Sequence, residues 1–291
     1  MEKELPGVKK NVLLKNYTTF KIGGPAKYFF VAKSKEDLIR AIKAAEKLNL
    51  PFFILGGGSN LLVADKGFKG LIIKMQNVKC KIQGNEIFSE AGKKLGELVS
   101  FSTKEGLKGF EWAAGIPGTV GGAVKGNSGA FGKSIKGIVK KIEIYDTAES
   151  KIKNYNLKDC KFGYRNSVFK KKPDLILLSA TFKLKKGKKE KIKKEISEIL
   201  KKRKEKAPIG FSVGSVFKNP SGNSAGFLIE KCKLKGKKIG KAKISEKHGN
   251  FIINLGKAKA KDVEKLIKLI KQRVKKKFNI ELEEEIQYLG F

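Results

Sequence analysis

The sequence predicts a mixed helix-and-strand chain in two main parts, and three observations predict it. Short strand-like runs are interleaved with amphipathic helical stretches, two glycine-rich loops fall in the first half, and a lysine-rich helix closes the first part near Ala207-Pro208. With 291 residues and 40% hydrophobic content, the chain carries enough apolar material for two or three cores.

In chain order, residues 28–32 (YFFVA) read as a strand, and Ser34 caps a helix with Asp37 three positions on. Leu38, Ala41, Ile42, Ala45 and Leu48 give that helix one buried face, and Pro51 ends it. Residues 52–55 form a compact apolar strand that runs into Gly56-Gly57-Gly58-Ser59-Asn60, the first glycine loop, followed by strands at 61–63 and 71–74. A glycine loop at a strand end is where α/β units usually take their ligands. Residues 82–91 alternate as one strand; Leu95, Leu98, Val99 and Ser102 then mark a helix stopped by Gly106.

The second glycine loop is residues 115–132 (GIPGTVGGAVKGNSGAFG), with seven glycines in eighteen positions. So bare a backbone can present successive N–H groups to a phosphate or pyrophosphate, or it can serve as a hinge or a cluster of tight turns, and on the stretch alone the two readings weigh equally. Strands return at 139–145 and 175–182, flanking 159–167 (DCKFGYRNS), and a helix at 185–206 carries its charges on a solvated face. The C-terminal part holds 212–220 (SVGSVFKNP), a short helix near 225–231, a strand at 249–254 and a helix at 260–278. It closes on NIELEEEIQYLGF, where Ile280, Leu282, Ile286 and Tyr288 share one face of an expected strand and Glu281, Glu283 and Glu285 the other.

Composition excludes several classes. The formal net charge of +37 suggests a polyanion binder, yet only Arg40, Arg165, Arg203 and Arg273 are arginines, and the lysines are spread along the chain rather than gathered into one groove. The reading is a solvated surface bias, with no nucleic-acid partner. Cys80, Cys160 and Cys232 are far apart and odd in number, and His248 is the single histidine, so neither a disulfide framework nor a metal site is expected. His248 reads as structural or surface. No apolar run reaches membrane-spanning length and the first residues lack a signal-peptide core, so a cytoplasmic protein is expected.

Neither loop carries a common nucleotide fingerprint. The first is not followed by Lys-Ser/Thr, and the second places Gly115, Gly118, Gly121 and Gly122 in a pattern other than G-x-G-x-x-G. Two separate loops can grip the two phosphates of one extended cofactor, for which a flavin dinucleotide is one of several candidates.

Six stretches in order, 18–26 (TTFKIGGPA), 55–70 (LGGGSNLLVADKGFKG), 106–132, the segment around Tyr164-Arg165-x-Ser167, 214–220 (GSVFKNP) and the terminal LEEEIQYLG, closely resemble the UDP-N-acetylenolpyruvoylglucosamine reductase family. The match covers essentially the whole chain and looks like the shorter of the family's two subtypes. It implies a vanillyl-alcohol-oxidase-like (PCMH-type) FAD-binding fold over 1–206, in two α+β subdomains split near 76–82, and an α/β substrate domain over 207–291. It also implies tightly bound FAD, NADPH as co-substrate, and reduction of UDP-N-acetylglucosamine enolpyruvate to UDP-N-acetylmuramate for peptidoglycan. A monomer is expected.

By the same resemblance, Arg165 binds the substrate carboxylate and stabilises the enolate that hydride addition creates. Ser215 donates the proton that completes the reduction, and Glu285 acts as an acid or hydrogen-bond donor, which requires a raised pKa. Tyr164, Lys218 and Asn219 are implied substrate contacts. Gly56, Gly57, Gly58, Ser59, Asn60, Gly118, Thr119, Gly121, Gly122, Asn127 and Gly129 are implied cofactor contacts. Two departures stand out: Gln287 where a basic residue is common, and Lys125-Gly126 where the family is more apolar.

Overall fold

The computed structural model describes residues 1–76 and 78–291. Residue 77, inside the 76–82 junction expected between subdomains, lies outside the described residues. The chain divides into two compact units, one of 1–8, 30–57 and 72–203, the other of 9–29, 58–71 and 204–291. Residues 9–29 and 58–71 thus group with 204–291 in the second unit.

The first unit is built on a five-stranded antiparallel sheet ordered Lys151–Asn156, Val139–Asp146, Leu175–Lys183, Glu86–Glu90 and Cys80–Gln83. Leu175 to Ala180 are all buried, as a strand covered on both faces requires. The single strand expected over 82–91 is a hairpin, Cys80–Gln83 against Glu86–Glu90, turning through Gly84 at φ +60°. Alternation alone does not reveal a two-residue turn of this kind.

The Lys35–Lys47 helix starts as expected: Ser34 Oγ accepts from the Asp37 N–H at 3.1 Å and the Asp37 carboxylate accepts from the Lys33 N–H at 3.0 Å. The Leu95–Lys104 helix ends before Gly106, whose φ of +66° suits a residue without Cβ. The lysine-rich helix is Lys189–Lys206, shorter than expected because Lys185–Lys186 pair with Leu107–Lys108. A four-stranded sheet, Lys9–Leu13, Pro25–Ala32, Phe68–Met75 and Phe52–Leu55, has middle strands that carry the chain from one unit to the other.

In the second unit, Phe20, Ile22 and Leu62 share a core with Phe217, Leu228 and Ile267, which is why distant stretches belong together. The Ala260–Phe278 helix keeps its expected bounds and buries Val263, Leu266, Ile267, Ile270 and Val274. Asp65 accepts from the Ala260 N–H at 2.9 Å and the Lys261 N–H at 3.3 Å, placing negative charge at the helix N-terminus. The terminal strand is shorter than the alternation suggests: only Gln287–Leu289 is extended, and it runs parallel to Leu61–Val63. Leu282 and Ile286 are buried as expected, but Tyr288 is exposed and its hydroxyl donates to Glu284 at 2.5 Å. Among the described residues no helix is long and apolar enough to cross a membrane, and all three cysteines are free.

Candidate active site

The two glycine loops meet in the first unit. A Cβ built on Gly57 would lie 2.6 Å from Gly118 Cα, so glycine there lets the main chains approach this closely, and one on Gly56 would lie 2.6 Å from Thr119 Oγ1, so glycine there leaves room for the threonine side chain. Thr119 caps the Val120–Lys125 helix, its Oγ1 accepting from the Gly122 N–H at 3.4 Å. The Val120 and Gly121 N–H groups are spent on Lys93 and Ala91 carbonyls at 2.8 Å each. Gly122 is exposed, leaving bare backbone at the surface beside the meeting point.

A residue the sequence reading passed over stands here as well. Lys74, in the Phe68–Met75 strand, turns its ammonium onto the Gly56 carbonyl. Burial, with the nearby Lys94 charge adding to it, holds Lys74 below the ordinary lysine range. The signal was present in the sequence: one lysine inside the apolar run Leu71-Ile72-Ile73-Lys74-Met75.

Arg165 occupies a two-residue turn in the same unit, where Gly163 and Asn166 exchange main-chain hydrogen bonds of 3.0 and 3.2 Å. Its φ is +52°, in the left-handed region that favours glycine. The guanidinium lies 5.3 Å from the centre of the exposed Tyr164 ring. Lys170 Nζ donates to the Arg165 carbonyl at 2.9 Å, and Ser167 Oγ donates to the Lys125 carbonyl at 2.6 Å. Asn127, in the second glycine loop, has its carboxamide committed on both sides, donating to Gly163 O at 2.8 Å and accepting from Lys136 N at 3.0 Å. Gly129 sits in the short Gly129–Ala130 strand opposite Lys133–Ser134. Burial, with Lys170 adjacent, lowers the pKa of Lys125, one of the two departures noted above.

In the second unit, the chain path brings Ser215 and Glu285 into neighbouring segments. Ser215 bridges to Phe251, Phe217 bridges to Glu284, and the Glu285 N–H donates to the Val216 carbonyl at 2.8 Å. Asn250, buried, brackets the same segment: its Oδ1 accepts from Phe217 N at 2.9 Å and its Nδ2 donates to Phe217 O at 2.8 Å. Nothing local in the sequence announced this residue, because its partner is 33 positions away.

Asn60 Nδ2 donates to the Glu285 carbonyl at 3.0 Å and its own carbonyl accepts from Gln287 N at 3.0 Å. The end of the first glycine loop thus anchors the acidic tail. Of that tail, Glu281 pairs with Lys275 at 2.9 Å, Glu284 with Lys271 at 2.7 Å, and Glu283 with Lys218. Asn219 Oδ1 accepts from Ala225 N at 3.1 Å, so this side chain helps start the Ala225–Lys231 helix. His248 is structural: its Nδ1 accepts from the Asn250 N–H at 3.2 Å and its ring packs on Phe251 at 4.9 Å.

Converging glycine loops with a half-buried lysine at their junction suit the diphosphate of a dinucleotide, since bare main chain and positive charge are what such a group needs. Such a cradle fits several dinucleotides, and the FAD binding domain model, which matches residues 26–154, places the chain among the FAD-binding flavoproteins. A second family model, UDP-N-acetylenolpyruvoylglucosamine reductase, C-terminal domain, matches 205–289. The chain belongs to the UDP-N-acetylenolpyruvoylglucosamine reductase family.

The chain is 44% identical to the reductase of that name from Caldanaerobacter subterraneus subsp. tengcongensis, over 96% of this chain and 93% of the relative. It is 46% identical to the one from Caldicellulosiruptor bescii, over 95% and 89%. The crystal structure of UDP-N-acetylenolpyruvylglucosamine reductase from Thermus caldophilus superposes with a TM-score of 0.85 at 37% identity, covering 97% of this chain and 99% of that one. A glucose dehydrogenase, Phl p 4.0202, matches at 14% identity and a TM-score of 0.51 over 64% of this chain and 43% of its own, a likeness of fold alone.

Proposed function

We infer that this chain is a flavin-dependent reductase that uses NADPH to convert UDP-N-acetylglucosamine enolpyruvate to UDP-N-acetylmuramate in peptidoglycan precursor synthesis. The observation that carries the reading is the pairing of Ser215 and Glu285 on adjacent main-chain segments of one unit, through Glu285 N–H to Val216 O at 2.8 Å.

FAD, when bound, supplies the hydride chemistry between NADPH and the enolpyruvyl group. Gly56, Gly57, Gly58, Ser59, Gly118, Thr119 and Gly122 hold it, with Lys74 as a further cation at the loop. Delivery of hydride to the β-carbon places negative charge on the substrate carboxylate as an enolate. The Arg165 guanidinium binds that carboxylate with two parallel donors and stabilises the charge as it develops. Ser215 Oγ gives its proton to the α-carbon, and Glu285 holds the substrate carboxyl by a hydrogen bond. Tyr164, Lys218 and Asn219 contact the remainder of the nucleotide sugar. The enzyme acts as a monomer in the cytoplasm.

The test is anaerobic. NADPH should bleach the flavin absorbance of the purified holoenzyme, and UDP-N-acetylglucosamine enolpyruvate should restore it. A flavin that bleaches and does not recover would make the protein a different flavoprotein oxidoreductase. A protein without flavin absorbance after FAD reconstitution would remove the reading altogether.

A further inference from the structure

We propose that Asn127 is a positioning residue for Arg165, acting as a latch between the second glycine loop and the turn that presents the guanidinium; the inference rests on the substrate role given to Arg165 above. The turn needs such a device. A two-residue turn with a non-glycine residue at φ +52° is a conformation an arginine seldom takes, and it persists where the surroundings over-determine it. Two side-chain bonds tie this turn to residues 125–127: Asn127 Nδ2 to Gly163 O at 2.8 Å, and Ser167 Oγ to Lys125 O at 2.6 Å. Ser167 and Asn127 are both buried and approach the turn from the protein side, while the Gly163 main chain that Asn127 holds is exposed.

The residue type fits the task. Asn127 itself has φ +43°, which asparagine tolerates better than other side-chain-bearing residues. Its surroundings also fix which end of the carboxamide points where: Gly163 O, which also accepts from the Asn166 N–H, can face only a donor, and the Lys136 N–H can face only an acceptor. The connection to the cofactor loop is short. Gly118 and Thr119 stand at one end of the six-residue Val120–Lys125 helix, and Asn127 follows Gly126 at the other. The main chain that meets Gly57 at Gly118 is therefore joined to the arginine turn by one short helix and one carboxamide.

Asn127→Asp separates the two bonds. Aspartate keeps the acceptor for Lys136 N–H and loses the donor to Gly163 O. In anaerobic stopped-flow with the flavin-loaded variant, bleaching by NADPH should stay within about twofold of the parent protein, while reoxidation by the enolpyruvyl nucleotide slows about tenfold or more, the loss expected for one side-chain hydrogen bond. Ser167→Ala should show the same split, and it carries the test if Asn127→Asp does not fold. Equal slowing of both half-reactions, or loss of flavin, would make Asn127 a cofactor or general structural residue and overturn the latch. Parental reoxidation in Asn127→Asp beside slow reoxidation in Arg165→Met would also overturn it. Parental reoxidation in Arg165→Met would instead remove the role of Arg165, and the latch with it.

Discussion

Arg165 and Ser215 are held in different ways. Arg165 sits on a turn to which Asn127, Ser167 and Lys170 contribute side-chain bonds, beside the main-chain bond from Val168 N to Cys160 O. Ser215 sits in a segment whose ties are mostly main chain, with bridges to Phe251 and from Phe217 to Glu284, and a bond from Glu285 N to Val216 O. Main-chain pairing survives most substitutions because every residue except proline brings the same donor and acceptor. Side-chain latches depend on the identity of a few residues. The arginine turn should therefore be mutationally fragile and the serine segment robust.

The largest effect expected tests Ser215 as chemistry rather than scaffold. Ser215→Ala should leave bleaching by NADPH largely intact and slow flavin reoxidation by about 10²–10⁴-fold, since the segment stays in place and only the proton donor is lost. Equal loss in both half-reactions, read by anaerobic stopped-flow, would mean that the hydroxyl supports the fold.

Asn250→Ala should break the contrast at its weakest point, because here the serine segment does rely on a side chain. The substitution leaves both Phe217 N and O without their buried partner, at a cost of about 2–4 kcal/mol in stability. A urea midpoint unchanged from the parent would show that the main-chain bridges alone suffice.

Smaller, and in the first unit, Gly57→Ala forces a Cβ against Gly118 Cα at 2.6 Å. Overpacking of this kind costs about 1–3 kcal/mol, which should appear as weaker FAD retention, about tenfold or more by fluorescence titration of the apoprotein. Undiminished affinity would mean that the loops part without touching the cofactor site.

The mildest effect concerns pH. Burial, reinforced by Lys206 and Lys235, lowers the pKa of His248 below its ordinary 6.5, and its Nδ1 must stay unprotonated to accept from Asn250 N. Because the unfolded chain takes up the proton more readily, stability is full above pH 6.5 and falls as the pH drops below it toward the depressed folded value. Urea midpoints measured from pH 7 to pH 5 should fall less steeply in His248→Gln than in the parent protein.

Elements governed by local periodicity were legible in the sequence. The Ala260–Phe278 helix and the Phe52–Leu55 strand have the bounds their patterns imply, because apolar spacing and the flanking residues act within a few positions. Where a distant partner decides, the sequence was silent. The tail over 280–286 alternates like a strand, yet its main chain serves Val216 and Phe217, and strand pairing begins only at Gln287. The glycine loops were legible as loops that can share one ligand, whereas the main-chain approach of residue 57 to residue 118 is a product of the folded unit. Lys218 was read as a substrate contact, and its pairing with Glu283 is likewise a product of the fold.

The parallel pairing of Gln287–Leu289 with Leu61–Val63 has a consequence for the order of synthesis. Residues 58–60 emerge from the ribosome early, but the strand and the Asn60 contacts that fix them are made more than two hundred residues later. The second unit cannot complete its core until residues 213–286 have been made, so the nascent protein passes through a long interval with Phe20, Ile22 and Leu62 lacking those partners. Stalling between residues 204 and 286 would release chains in which the first unit has its full set of strands while the second lacks the strand that anchors its glycine segment.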